Sequence, residues 1–139
     1  MSDSGVRVVI DSSVAVKWLV AEREANVTDA LRLLRQHADG LVALCAPTHI
    51  VLEVLNAAHH RGLAAPEMSD AARFLLKARL RLTPVEDLAE RAAEIAAGHG
   101  LTVYDAAFVA LAETLDCELV TADRRLASCT VCRTRLLGS

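Results

Sequence analysis

Apolar residues along this chain of 139 residues fall into short stretches of two kinds, and the two kinds alternate. Compact or β-branched runs are typical of strands, and they occur at residues 6–10, 41–46, 82–85, 118–122 and 130–137. Apolar positions at helical spacing predict helices over residues 14–20, 25–37, 48–61, 71–80, 86–97 and from residue 104 onward. This alternation favours an α/β domain, with a mainly parallel central sheet of about four to five strands and helices on both faces.

The length is that of one domain, residues 1–139, with one hydrophobic core. Hydrophobic residues make up 53% of the chain, but no apolar run approaches the ~18 residues of a membrane helix, so we expect no membrane segment. The N-terminal sequence MSDSGVRVVID lacks the charged region and cleavage site of a secretory signal. Four cysteines in a chain with its own core do not resemble a disulfide scaffold, which favours a reducing cytoplasm.

The charge of the chain excludes a general nucleic-acid-coating protein, because the net charge is −3. Local basic patches remain possible phosphate-binding sites or ordinary solvated faces, and arginine pairs occur at positions 79 and 81, 124 and 125, and 133 and 135. Aromatic residues are only 3% of the chain, too few for a base-stacking platform. We expect Trp18 and Tyr104 to lie in the core rather than to contact RNA.

Four acidic residues stand where the predicted elements meet one edge of the sheet. Asp11 and Asp123 each follow a predicted strand, and the carboxyl ends of parallel strands are where open α/β sheets bind ligands. Asp105 lies in the first turn of a helix, on a side that turns inward, and Glu53 lies among apolar helical neighbours. Carboxylates brought together cannot all stay ionised without a cation. Mg²⁺ or Mn²⁺ prefers such oxygen ligands, and it orients a phosphate ester and generates a hydroxide nucleophile.

Each acid taken alone also has a structural explanation. Asp11 could cap the following helix, and Asp105 could interact with the helix dipole. A receiver or phosphatase-like domain would use Asp11 as a nucleophile, but it normally adds a second acid beside the first or two residues later. Ser12 and Ser13 occupy those positions, which argues against that class.

Three segments stand out by their order and spacing: IDSSVAVKWLV, PTHIVLEVLNAAHHRG and GLTVYDAAFVALAETLDCELVTADRRL. In these segments, which extend over almost the whole chain, the sequence resembles the PIN-domain ribonucleases. Within that family it is most similar to the VapC-type toxins of bacterial toxin–antitoxin pairs. The last segment is the most specific, because YDAAFVALAE followed by LVTADRRL is hard to produce by chance.

The resemblance implies that the four acids bind metal and act in catalysis: Asp11, Glu53, Asp105 and Asp123. Thr121 resembles the hydroxyl residue beside the family's site, and Ser12 is a second candidate supporting residue. A strand hydroxyl and a helix cap are the respective alternatives. The implied activity is a Mg²⁺- or Mn²⁺-dependent endoribonuclease that cleaves tRNA, rRNA or mRNA. A catalytically silent PIN-like binding module, acting through a protein or RNA partner, is the alternative.

The resemblance also implies partners: a cognate antitoxin that holds the enzyme inactive, and a second copy of the chain in a homodimer. We expect the helices over residues 14–37 and 48–61 to offer apolar surface to an antitoxin segment. Cys129 and Cys132, in the C-terminal tail, depart from the family pattern. Without a second ligand pair at zinc spacing, we expect them to be neutral thiols on an edge strand.

Overall fold

The computed structural model describes residues 5–21 and 24–139. Within these residues, five strands form a single parallel sheet in the order β3-β2-β1-β4-β5. The strands are β1 (Arg7–Ile10), β2 (Ala43–Pro47), β3 (Arg81–Thr83), β4 (Glu118–Thr121) and β5 (Thr134–Leu136). The predicted α/β class with a parallel sheet is therefore confirmed. Residues 1–4, on which part of the export argument depends, lie outside the described residues.

Helices connect the strands throughout the described ranges. They are α1 (Ser12–Leu19), α2 (Val27–Ala38), α3 (Ile50–His60), α4 (Ala65–Lys77), α5 (Ala89–His99), α6 (Val103–Leu115) and α7 (Arg124–Ala127), with a 3₁₀ turn at Val85–Asp87. The chain moves outward from β1 through β2 to β3, and then crosses to β4 and moves outward on the other side to β5. Because such crossovers are right-handed, α1 to α4 and α5 to α6 lie on opposite faces of the sheet.

The order of the strands creates a switch point between β1 and β4. These two strands are neighbours, but their onward connections leave in opposite directions. Loops that leave adjacent strand ends in opposite directions open a crevice, and ligands of open α/β sheets bind there. The fold therefore provides a site directly beyond residues 10 and 121.

The core explains why β1 reads as a continuous apolar run. Val9 and Ile10 are fully buried, because helices cover both faces of this central strand. On one face lies α6, whose residues 106–112 are all buried and include four alanines. The small side chains let α6 pack closely against β1, β2 and α5.

Element boundaries differ from the sequence prediction at two places. Helix α4 begins at Ala65 rather than at residue 71, because the Glu67 carboxylate accepts a hydrogen bond from the Ala64 N–H at 2.9 Å and caps the end. Ser69 and Asp70, which precede the predicted helix, lie inside the observed one. The last predicted strand, residues 130–137, shortens to β5, and a short helix, α7, precedes it.

No single helix among the described residues is long and apolar enough to cross a membrane. The helices α5 and α6 reach that length and composition only as a pair, bent by 114°.

His37 connects three elements that lie far apart in the sequence. Its Nδ1 accepts a hydrogen bond from the main-chain N–H of Leu44 at 3.1 Å. Its Nε2 lies 3.0 Å from the carbonyl oxygen of Ala78 and 3.1 Å from that of Arg79. Because Nδ1 accepts, the ring proton sits on Nε2 and is donated to these carbonyls. The neutral imidazole thus joins α2, β2 and the end of α4.

We expect His37→Ala to lower the free energy of unfolding by about 1–3 kcal/mol, because the Leu44 N–H loses its acceptor inside the fold. His37→Asn should recover part of the loss, since its amide oxygen can stand where Nδ1 stood. Urea unfolding of the three proteins measures both effects. Equal stability of the wild type and His37→Ala contradicts the prediction.

Candidate active site

The structure brings the predicted acids to the switch point from four different elements. Asp11 follows β1, and Asp123 follows β4 after a gap of one residue. Glu53 lies in the first turn of α3 and Asp105 in the first turn of α6. Each helix layer therefore contributes one acid, and the central strands contribute the other two. The positive ends of α1, α3 and α6 point toward this edge, which favours anions there.

Asp11 is held by hydroxyl groups on both of its oxygens. Ser13 Oγ donates to Oδ1 at 2.6 Å, and Thr121 Oγ1 donates to Oδ2 at 2.7 Å. Ser13 Oγ itself accepts the Ala122 N–H at 2.8 Å, and Thr121 Oγ1 accepts the Asp123 N–H at 3.0 Å. The pairing of β1 with β4 sets this geometry, because the residues before Asp11 and Thr121 lie opposite each other. The carboxylate orientation is thus fixed before anything binds.

The same position makes the charge of Asp11 unfavourable. The residue is 4% exposed, and this burial raises the pKa of its carboxyl from 3.8 to about 6. The hydrogen bonds from Ser13 and Thr121 lower the pKa, while the negative charge of Asp105 raises it further. A charge that the fold destabilises in this way is well placed to bind a cation.

Glu53 is the acid with an unsatisfied atom. Its Oε1 is buried and has no hydrogen-bond partner within the described residues. His49 Nε2 lies 3.8 Å from this oxygen. Burial raises the pKa of Glu53, the charge of His49 lowers it, Asp105 raises it, and a hydrogen bond from Ser12 lowers it. An unpartnered buried carboxylate oxygen is destabilising unless a ligand satisfies it.

Asp105 is coupled electrostatically to the three other acids. Burial is the largest cause of its raised pKa and the charge of Asp123 the second, whereas Arg125 and His49 lower it. Its own charge in turn raises the pKa of Asp11 and of Glu53. Like charges that oppose one another's ionisation must lie close together, so the four acids form one electrostatic cluster.

His49 positions the two helical acids relative to each other. It precedes α3 by one residue, and its Nε2 lies 3.0 Å from the carbonyl oxygen of Tyr104 in the first turn of α6. Its ring also packs on Phe108, with 4.8 Å between centroids. The histidine thus joins the start of the Glu53 helix to the start of the Asp105 helix.

Asp123 has a structural role besides its place in the cluster. Its Oδ1 accepts the main-chain N–H groups of Arg125 at 2.9 Å and Leu126 at 3.4 Å, which caps α7. One oxygen of this carboxylate is therefore committed to the fold.

The donor set suits a hard divalent cation. Carboxylates, hydroxyls and an unpartnered carboxylate oxygen are the ligands that Mg²⁺ and Mn²⁺ prefer. However, no three His, Cys, Asp or Glu side chains in residues 5–21 and 24–139 already surround a common metal position. Mg²⁺ usually keeps several waters and uses only one or two carboxylates, so binding here requires bridging water or small side-chain movements.

Sequence reasoning found the acids but missed three residues that contact them. They are Ser13, His49 and Arg125. Their spacing was an available signal, because Ser13 stands two residues after Asp11, His49 stands four before Glu53, and Arg125 stands two after Asp123. Of the two residues that sequence reasoning did propose, Thr121 donates a hydrogen bond to Asp11, and Ser12 lowers the pKa of Glu53.

The two aromatic predictions had different outcomes. Trp18 is partly buried against the core, and its Nε1–H donates to the Ala30 carbonyl at 2.8 Å. Tyr104 was expected in the core, and this prediction is wrong: it is 65% exposed. Helix α6 turns it outward, because the buried side of that helix starts only at Ala106.

The C-terminal cysteines lie in the connection before β5 rather than on the strand itself. Burial, together with the neighbouring Cys129 and Cys117, raises the pKa of Cys132 to about 12. The thiol of Cys132 is therefore neutral at physiological pH, as the sequence analysis expected.

Proteins of similar sequence match most of the length of this chain. A sequence model of the PIN domain matches residues 8–130. VapC ribonuclease Mb0985 of Mycobacterium bovis is 35% identical over 119 residues, which cover 86% of this chain and 87% of that protein. Ribonuclease VapC3 of Pyrobaculum aerophilum is 33% identical over 126 residues, which cover 88% of this chain and 93% of that protein.

Two solved structures share the fold. PAE2754 from Pyrobaculum aerophilum has a TM-score of 0.59 and 20% identity, covering 93% of this chain and 90% of that chain. VapBC2 from Rickettsia felis, crystallised with a DNA fragment from its promoter, has a TM-score of 0.64 and 12% identity. That match covers 94% of this chain and 98% of the other. At these identities the likeness is one of architecture.

We expect Asp11→Asn to stabilise the protein by about 2 kcal/mol at pH 7.5 without divalent cations, because it removes a buried charge. In the wild type the folded pKa of about 6 exceeds the unfolded value of 3.8. The folded state therefore binds more protons between these values, and stability falls as pH rises from about 4 to about 6.

Urea unfolding in EDTA from pH 4.5 to 7.5 measures the slope. The slope should flatten in Asp11→Asn and persist in Asp87→Asn, a change at an exposed position. An Asp11→Asn variant that is less stable than the wild type at pH 7.5 contradicts the prediction.

Proposed function

The chain belongs to the PIN-domain family, and we propose that it is an endoribonuclease of the VapC toxin type. The observation that carries the proposal is the coupled acid cluster at the switch point. Four elements contribute the acids Asp11, Glu53, Asp105 and Asp123. Among the described residues, the buried basic side chains are too few to neutralise these four acids. The relatives at 33–35% identity are ribonucleases by name.

The four acids would hold Mg²⁺ or Mn²⁺ through carboxylate oxygens and retained water. Such a cation supplies two things when bound: it polarises a phosphate oxygen and it lowers the pKa of a water that attacks phosphorus. The contribution of the chain is orientation. Ser13 and Thr121 fix the Asp11 carboxylate, and His49 sets the spacing between the helices of Glu53 and Asp105.

The surroundings of the cluster also favour an RNA backbone. The N-terminal ends of α1, α3 and α6 present a positive potential at this edge, which attracts phosphate. Because the overall charge is −3, phosphate binding depends on local positive potential rather than on the charge of the whole protein.

We expect Asp105→Asn to weaken Mn²⁺ binding at least about tenfold and to reduce RNA cleavage by a larger factor, because Asp105 couples to every other acid of the cluster. Asp116→Asn is the matched control. Asp116 ends the same helix, its side chain is 95% exposed, and its left-handed φ of 50° is one that asparagine tolerates.

Calorimetry with Mn²⁺ and cleavage of a total tRNA preparation test the two effects. Equal Mn²⁺ binding by the wild type and Asp105→Asn would show that the acids are structural. If the wild type binds Mn²⁺ but cleaves none of tRNA, rRNA and mRNA, the catalytically silent binding module is favoured instead.

We also propose that the protein is restrained by an antitoxin that binds a groove between α1 and α4. The groove has a volume of about 350 Å³ and an apolar floor that includes Trp18, Leu19, Leu63 and Phe74. Glu67 and Asp70 stand on its rim. An apolar floor with an acidic rim suits a basic amphipathic segment. Sequence analysis expected such a surface on residues 14–37 and 48–61. The groove includes Trp18 and Leu19 of the first range but lies outside the second, and most of its lining comes from Leu63 and α4.

We expect Phe74→Glu to weaken the complex with the antitoxin encoded beside this gene at least about tenfold, because the charge would be buried under the bound segment. Leu76→Glu is the control, since Leu76 lies on the same helix, is 66% exposed and does not line the groove. Native mass spectrometry of the co-expressed pair measures the complex, and the toxin alone should appear as a homodimer of 14.9 kDa chains. A monomeric, partner-free wild type contradicts the proposal.

A further inference from the structure

The guanidinium of Arg125 faces the acid cluster. Its Nη2 lies 3.7 Å from Asp105 Oδ2, and its charge lowers the pKa of Asp105 against the effects of burial and Asp123. A separation of 3.7 Å is an ion pair without a direct hydrogen bond. The arginine side chain is 63% exposed, so water screens the pair and little holds it in place.

This ion pair differs from another arginine pair of the fold. Arg91 contacts Glu113 through two bonds of 2.8 and 2.9 Å, which is the bidentate geometry of a structural pair. Arg125 makes the longer contact with Asp105, although Asp105 lies in the first turn of α6 and Arg125 lies in α7. The geometry therefore indicates that the Arg125 guanidinium is held loosely beside the acids and does not form a structural ion pair.

The main chain of Arg125 is fixed while its side chain is not. Its N–H donates to Asp123 Oδ1 at 2.9 Å, and α7 follows directly from the strand whose Thr121 holds Asp11. The Cα position is thus tied to the cluster. The exposed guanidinium can leave Asp105 and still remain within a side-chain length of the site.

We propose that Arg125 has two positions, and this rests on the proposed nuclease function. Without a divalent cation it neutralises Asp105. When a cation is bound, it is repelled from Asp105 and binds an RNA backbone phosphate beside the scissile bond. The reasons are electrostatic and geometric: a bound cation replaces the guanidinium as the partner of Asp105, and a guanidinium binds phosphate oxygens in a bidentate manner.

The first test is Mn²⁺ calorimetry without RNA. We expect Arg125→Ala to bind Mn²⁺ about twofold to fivefold more tightly than the wild type, because a competing cation has been removed from an exposed pair. Arg125→Lys keeps the charge and should match the wild type. Arg124→Ala is the matched control, since it removes the same charge from an exposed position one residue earlier on α7.

The second test is RNA binding, measured by fluorescence anisotropy of a labelled tRNA preparation in EDTA and in Ca²⁺, with gel analysis to verify intact RNA. With Ca²⁺, Arg125→Ala should bind about fivefold to tenfold more weakly than the wild type and lose about one unit of salt dependence. In EDTA the loss should be at most about twofold, because Asp105 then competes with the phosphate for Arg125. Arg125→Lys should lose part of the affinity in Ca²⁺.

Tighter Mn²⁺ binding together with a Ca²⁺-dependent loss of RNA affinity supports the proposal. It is overturned if Arg125→Ala binds Mn²⁺ no more tightly, or if its loss of RNA affinity is the same in EDTA and in Ca²⁺. These outcomes are separate from failure of the nuclease function, which is judged on the wild type by Mn²⁺ binding and RNA cleavage.

Discussion

The structure of the site depends on one constraint: negatively charged carboxylates lie close together just beyond the end of a buried strand. Asp11 ends the central strand β1, where the residues just before it are fully buried. Its carboxylate cannot avoid burial, so the fold surrounds it with two hydroxyl donors that recover only part of the lost hydration. Because Asp105 adds negative charge to the same place, the protein alone leaves the cluster unstable. The cation that we propose for this site would relieve that imbalance.

The two helix layers determine the separation of two of the acids at the switch point. One layer contributes Glu53 and the other contributes Asp105, so their separation depends on how the layers are held across the sheet edge. His49 makes that connection through the Tyr104 carbonyl and the Phe108 ring. His49, a single side chain at the start of α3, therefore connects the helices of two carboxylates that lie 52 positions apart in the sequence.

Much of this arrangement could be predicted from the sequence, because it follows from periodicity. A β-branched run ending in Asp11 and a run ending near Asp123 mark two parallel strand ends, and parallel strands align their ends. The residues that were missed depend on tertiary distances instead. Ser13 stands only two residues from Asp11, but its bond to the Ala122 N–H exists because β1 pairs with β4. The exposure of Tyr104 depends on how far α6 rotates toward the sheet. The early start of α4 depends on one cap, in which the Glu67 carboxylate accepts the Ala64 N–H.

The alanines of α6 limit which substitutions this helix can accept without moving Asp105. Ala106, Ala107, Ala110 and Ala112 are all buried, and they allow the helix to lie close to β1, β2 and α5. A larger side chain at any of these alanines would push α6 away from the sheet, and Asp105 in the first turn of α6 would move with it. Such a shift is small enough for the domain to survive but large enough to misplace a carboxylate. A substitution at one of these alanines would therefore impair the proposed activity while all four acids stay in the sequence.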